Sequence, residues 1–274
     1  MLRIVVEHGD GRLDRKRKGG VPMPNHDASP DLRTAYPALY RPSKGYVFVV
    51  TYGRSGSTLT QNLLNSIPGW CIRGENANVL GNLLKAVHMI RRHPMYAKLT
   101  AWRAMGSPHT LAGFGTPIDP WFGAELVDCD AFARDLLNTF ASRVLNLAEG
   151  LRVGGFKEIC YFGDPDFLAA QLALMQEYFP SAKILFQTRD HGQVITSSWW
   201  KNRDPVEVKT RLTLVDGIFR DYAQIHSDCF VLDYSSYMAG PQALRPLFDF
   251  LAEDFNLPMV EGVLNTRLDH RVKD

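Results

Sequence analysis

The sequence predicts a single-domain α/β fold with a P-loop-like parallel sheet of about five strands and helices on both faces. Three features carry that expectation. Short apolar runs alternate with stretches whose apolar residues recur at helical spacing, the pattern of parallel strands joined by crossover helices. One such run, "YVFVVTY", passes directly into the glycine- and serine-rich turn Gly53-Arg54-Ser55-Gly56-Ser57-Thr58. With 274 residues, the chain suits one large core better than two small ones.

Taken in order, residues 1–44 read as a flexible lead segment. They hold a basic stretch, "GRLDRKRKGG", and then "VPMPNHDASP", rich in proline and turn formers and without apolar period. The α/β domain is expected over 45–274. Strands are predicted at 46–52, 70–74, 152–158, 183–189 and 229–234, each short enough to be a buried strand. Helical stripes fall on Val79, Leu80, Leu83, Leu84, Val87 and Ile90, on Phe132, Leu136, Leu137, Phe140, Val144 and Leu147, and on Leu168, Leu172, Met175 and Phe179. These stripes are core. Residues 93–129 carry glycines, prolines and aromatics without clear period. Connections of that length are functional or disordered, and the aromatics point to a substrate-facing loop or lid around Trp121 and Phe122.

The totals exclude more than they assign. A formal net charge of +2 gives no global pull toward nucleic acid or anionic membrane, so anion recognition must be local. The 4 cysteines, Cys71, Cys129, Cys160 and Cys229, form no CxxC pair and no histidine stands at metal-ligand spacing, which suggests neither a disulfide framework nor a metal site. No run approaches the ~18 apolar residues of a membrane span, and the first residues lack the apolar core of a signal peptide. A soluble, cytoplasmic protein is the expectation.

Chemistry concentrates in the turn at 53–58. A strand that ends there and feeds a helix offers backbone N–H groups and a positive helix end to an anion. Ser55, Ser57 and Thr58 add hydroxyls, and Arg54 adds a planar fork suited to phosphate or sulfate oxygens; the plain alternative is an ordinary turn with Ser57 or Thr58 as helix cap. A Walker loop requires a second glycine five residues after the first and then a lysine; that glycine slot is Thr58 counting from Gly53 and Gln61 counting from Gly56. A hydrolase elbow centred on Ser55 requires glycine where Ser57 stands. What remains is a loop that grips a short anionic group without the lysine that reaches a β/γ-phosphate pair.

A second strand ends in "KILFQTRDHGQVITSS", with Arg189 at its edge and Ser197 8 residues later, inside the expected next helix. Ligands of parallel α/β sheets sit beyond the C-terminal ends of strands, so both anion holders can face one crevice. Arg189 paired with a neighbouring carboxylate such as Asp190, and Ser197 bonded back along its helix, are the alternatives.

"TYGRSGSTL" followed by "TRDHGQVITSS" resembles the sulfotransferases that use 3′-phosphoadenosine 5′-phosphosulfate, and "PGWCIRGEN", "DPWFGAE", "GFKEICY" and "NTRLDHR" are similar to stretches of bacterial members with carbohydrate-type acceptors. The resemblance covers roughly 46–274. It implies a loop of Arg54, Ser55, Gly56, Ser57, Thr58 and Leu59 on the 5′-phosphosulfate, Arg189 and Ser197 on the 3′-phosphate, no metal, and a small-molecule or glycan acceptor. Arg54 stands where cytosolic small-molecule enzymes carry lysine, as in carbohydrate and tyrosylprotein enzymes.

Sulfuryl transfer needs in-line geometry, charge neutralisation on the leaving phosphate and a base for the acceptor proton. The resemblance implies Glu75 as that base, Lys157 on the transferring sulfuryl oxygens and Arg54 on the leaving phosphate. In the tyrosylprotein branch the base is the second acidic residue after the glycine, and that slot is Asn76 here. The alternatives are a helix-start carboxylate for Glu75, an ion pair with Glu158 for Lys157, and His88, His93 or His109 as base. Glu158 is left unassigned, Trp199 and Trp200 are stacking or core residues, and Arg267, His270 and Arg271 are candidates to close over the 3′-phosphate. Two further functional readings stand beside transfer: a nucleotide kinase or triphosphatase with a degenerate loop, and a non-catalytic nucleotide- or partner-binding protein on the same fold.

Overall fold

The structure is a computed structural model that describes residues 30–106 and 113–266. Five strands, β1 (Gly45–Val50), β2 (Trp70–Arg73), β3 (Val153–Glu158), β4 (Lys183–Thr188) and β5 (Cys229–Asp233), form one sheet in the order β2-β3-β1-β4-β5. Every neighbouring pair is parallel. The α-helices are α1 (Pro30–Ala35), α2 (Ser57–Asn65), α3 (Val79–Arg92), α4 (Pro94–Ala104), α5 (Cys129–Phe140), α6 (Pro165–Tyr178), α7 (His191–Ile195), α8 (Pro205–Ile225), α9 (Ser235–Met238), α10 (Arg245–Leu251) and α11 (Leu257–Asn265). None among the described residues is long and apolar enough to cross a membrane.

The continuous apolar run of β1 follows from its place at the centre, buried on both faces. Alternate side chains serve two cores. Tyr46, Phe48 and Val50 pack with Leu84 of α3, Phe140 of α5, Leu172 of α6 and Phe219 of α8. Val47 and Val49 pack with Leu63 of α2, Phe248 of α10 and Val260 of α11. Strand order reverses direction at β1, with β3 on one side and β4 on the other, so the crevice expected of such a sheet opens beyond the C-terminal end of β1.

Two expectations are corrected by the fold. Residues 93–129 contain α4, started by a strong local signal: His93 Nδ1 accepts the Met95 N–H at 3.3 Å and Pro94 follows at the first helical position. The apolar period was hard to read there because Leu99 is the buried residue of this helix. The lead segment also folds earlier than residue 45. Ala38 and Leu39 are buried, their N–H groups both donate to Asn138 Oδ1, at 2.9 and 3.1 Å, and the Tyr46 hydroxyl donates to the Leu39 carbonyl at 3.0 Å. The basic stretch of the lead segment lies outside the described residues, as do His109, Arg267, His270 and Arg271.

Candidate active site

All five strands deliver residues to one place. A cavity of about 470 Å³ is lined by Gly53, Arg54, Gly56, Ser57, Thr58 and Leu59 after β1, Glu75 after β2, Lys157 and Ile159 at the end of β3, Arg189 after β4, Trp199, and Tyr234 after β5. Its volume lies within the ~300–1,000 Å³ of small-molecule sites. Among these residues Arg54, Lys157 and Arg189 are cationic and Glu75 is the carboxylate, so the cavity attracts anions.

The turn after β1 is shaped for close approach. Gly56 caps α2 with φ +92°, a conformation that side chains avoid, and a methyl on it would meet the Tyr234 ring at 2.3 Å. No side chain caps this helix; the Leu59 N–H, expected to hold the anion, is instead given to the Gly56 carbonyl at 2.9 Å, which leaves the N–H groups of Ser57 and Thr58 and the positive helix end for a ligand. The capping role weighed for Ser57 and Thr58 is therefore not taken. Ser55 is different: it is fully buried and its hydroxyl accepts from Thr51 Oγ1 at 2.7 Å, beneath the loop instead of in the cavity. Thr60 and Gln187 continue that support, with Thr60 Oγ1 donating to Gln187 Oε1 at 2.6 Å and Gln187 Nε2 to the Ser55 carbonyl at 3.4 Å.

The second anion holder sits against the first. Arg189 Nη1 donates to the Arg54 carbonyl at 3.2 Å, and its guanidinium lies 4.1 Å over the Tyr234 ring. Gln193 Oε1 accepts from its Nε and Nη2, so the pairing with Asp190 does not form. The Tyr52 hydroxyl accepts the Arg189 N–H at 2.9 Å and fixes the backbone. Ser197 falls outside α7, which ends at Ile195; its backbone is extended, and its hydroxyl accepts from Arg54 Nε at 2.9 Å. The expected place inside a helix is thus corrected: the helix stops short, which frees Ser197 to reach the loop instead of its own carbonyls.

Lys157 and Glu75 meet at the centre. The Lys157 ammonium, 7% exposed, pairs with the Glu75 carboxylate, 43% exposed. Asn78 caps α3 by accepting the Gly81 N–H at 3.2 Å, so Glu75 is not the helix cap. Glu158 is occupied otherwise. Its Oε2 accepts from the N–H groups of Asn76 and Asn78 at 2.9 and 2.8 Å, and its Oε1 from Ile159 and Cys160 at 2.7 and 3.0 Å. This buried carboxylate clamps the Glu75 loop to the end of β3. Burial pushes the Glu158 carboxyl up, but the four backbone donors outweigh it and hold the group below its usual range.

The folded state therefore binds fewer protons at Glu158 than the unfolded chain. Its stabilisation is present above the unfolded value of ~4.3 and is lost as pH falls through the lower folded value. Glu158→Gln should reduce stability at neutral pH by about 2–3 kcal/mol, and the gap to wild type should close on acidification. Melting temperatures recorded from pH 7 downward check this; a gap constant with pH would refute it.

His88 packs edge-on to Phe167 at 5.2 Å and His93 stacks near Trp121 at 5.0 Å; neither lines the cavity. Trp200 donates from Nε1 to the Gly53 carbonyl at 3.0 Å, and a methyl on Gly53 would lie 2.3 Å from the Trp199 ring. Tyr234 and Ile159 are cavity residues that sequence reasoning missed. The signal for Tyr234 was its position just past β5, at the ligand-facing end of the sheet.

A family model for the sulfotransferase family matches residues 46–256. No curated protein matches the chain. Among solved structures, the sulfotransferase STF9 from Mycobacterium avium is similar over 89% of this chain and 73% of its own, at 14% identity and a TM-score of 0.41. The family match runs from the second residue of β1 to the last residue before α11 and takes in every described cavity residue; the chain belongs to the sulfotransferase family, whose chemistry is the transfer of a sulfuryl group.

Proposed function

We propose that the chain transfers the sulfuryl group of 3′-phosphoadenosine 5′-phosphosulfate to a hydroxyl of a carbohydrate or glycoconjugate. The observation that carries this reading is the pairing of two anion-holding places around one cavity, the uncapped end of α2 with Arg54 and the guanidinium of Arg189, with Lys157 and Glu75 beside them. A donor with a phosphosulfate on one side and a separate phosphate on the other matches that division. A nucleoside triphosphate does not, because the lysine that would reach its β/γ pair would stand one residue past Thr58 or Gln61, where the chain has Leu59 and Asn62.

In this reading the N–H groups of Ser57 and Thr58 and the Arg54 fork hold the 5′-phosphosulfate, and Arg189 and Ser197 hold the 3′-phosphate. Arg54 neutralises charge on the leaving phosphate and Lys157 the sulfuryl oxygens, where preorganised donors lower the barrier most. Glu75 takes the proton of the attacking hydroxyl as the new O–S bond forms and the bond to the phosphate oxygen breaks. Among the described residues no group of acidic, histidine and cysteine side chains is arranged as a metal site, and the proposed steps rest on these side chains and amides.

Isothermal titration with the desulfated nucleotide, 3′-phosphoadenosine 5′-phosphate, tests the reading. Saturable binding to one site is expected, weakened about 10- to 100-fold in Arg189→Ala, the loss of a charged hydrogen bond. Absence of binding, or binding indifferent to that substitution, removes the proposal; turnover of ATP with magnesium would favour the triphosphatase reading instead.

A further inference from the structure

A second cavity, of about 150 Å³, is lined by Trp199, Trp200, Arg203, Glu207, Val208 and Arg211. Trp199 lines both this cavity and the larger one, so one indole is their shared wall. It is held in place through Gly53, against which its ring packs and to which Trp200 bonds. Yet Trp199 is 47% exposed, a large aromatic side chain partly open to water beside a charged site.

The polar groups around it are unequal. Glu207 and Arg211, one turn apart on α8, pair at 3.0 Å. Arg203 has no ion-pair partner among the described residues, so the cavity carries one cation in excess. A flat apolar face, a carboxylate–guanidinium pair able to bond adjacent hydroxyls, and an unpaired guanidinium fork together suit a ring that is apolar on one face, hydroxylated at its edge and negatively charged at one substituent.

We infer that this cavity is an acceptor subsite for an acidic sugar, with the pyranose ring on Trp199, its hydroxyls on Glu207 and Arg211, and its carboxylate or sulfate on Arg203. The inference rests on the proposed transfer reading and extends it, since the shared indole puts a sugar bound here next to the cavity of Lys157 and Glu75. A competing use of Trp199 is stacking on the purine of the donor, and nucleotide affinity separates the two.

The full chain, wild type and with Trp199→Ala, Trp199→Phe or Arg203→Ala, is titrated with methyl β-D-glucuronide and methyl β-D-glucoside, with and without saturating 3′-phosphoadenosine 5′-phosphate, and binding is followed by ligand-observed NMR. The wild type should bind the glucuronide about tenfold more tightly than the glucoside. Arg203→Ala should bring the glucuronide to the glucoside's level. Trp199→Ala should weaken both about tenfold, with Trp199→Phe intermediate, and Arg203→Ala, at a residue that lines the second cavity and not the first, should leave nucleotide affinity unchanged. The subsite is overturned if neither glycoside binds the wild type, if the glucoside binds as well as the glucuronide, or if Trp199→Ala weakens the nucleotide and not the glycosides. Failure of the wild type to bind nucleotide would remove the donor assignment alone, because the titrations without nucleotide still decide the subsite.

Discussion

Lys157→Ala should lower kcat about 10²- to 10³-fold, the loss expected when one preorganised charge at a developing anion is removed. The residue has no other evident task. Its ammonium is buried at the end of β3, faces the cavity and pairs with Glu75 and not with its neighbour Glu158. Because Glu75 is 43% exposed, water solvates the carboxylate left behind, and the melting temperature should move little. A labelled-donor assay with the hydroxyl acceptor returned by an acceptor screen reads kcat, and titration reads nucleotide affinity. A variant with full kcat would remove Lys157 from the reaction, and one that is simply unfolded would show in the melt.

Glu75→Gln is the second large effect. It keeps the shape of the side chain but removes the proposed proton acceptor, so kcat should fall about 10²- to 10⁴-fold while the desulfated nucleotide binds as before. A merely structural Glu75 would behave otherwise: its loss leaves the buried Lys157 ammonium facing a neutral amide, which lowers stability by about 1–3 kcal/mol and leaves kcat alone. The double variant with Lys157→Ala adds a further check. Residues in direct contact that act on one step give non-additive effects, so the pair should cost less than the product of the single losses.

Much of this was legible in the residues. The parallel sheet was readable because buried strands are short unbroken apolar runs, and each of the five was expected within one or two residues of its place. Arg54, Arg189, Glu75 and Lys157 were readable because the C-terminal ends of parallel strands face the ligand crevice whatever the side chains between them. The helix at α4 was less legible, since its pattern comes from a cap and a proline and not from an apolar stripe. Ser55 and Ser57 read alike as hydroxyl donors, but one turned under the loop to Thr51 while the other leads α2. That difference depends on the left-handed turn at Arg54 and Gly56, which residue type permits without dictating.

By itself the sequence determined the α/β class, the anion-holding turn without a Walker lysine and the spacing of Arg189 and Ser197, all local properties carried by adjacent residues. Only the tertiary structure decided that Lys157 pairs with Glu75, that Glu158 is a backbone clamp, that α7 stops before Ser197, and that Trp199 is the wall between two cavities. Those facts join residues far apart in the chain. Which carboxylate meets which cation is settled by the order in which the strands lie side by side, and that order is a property of the packed sheet and not of any segment within it.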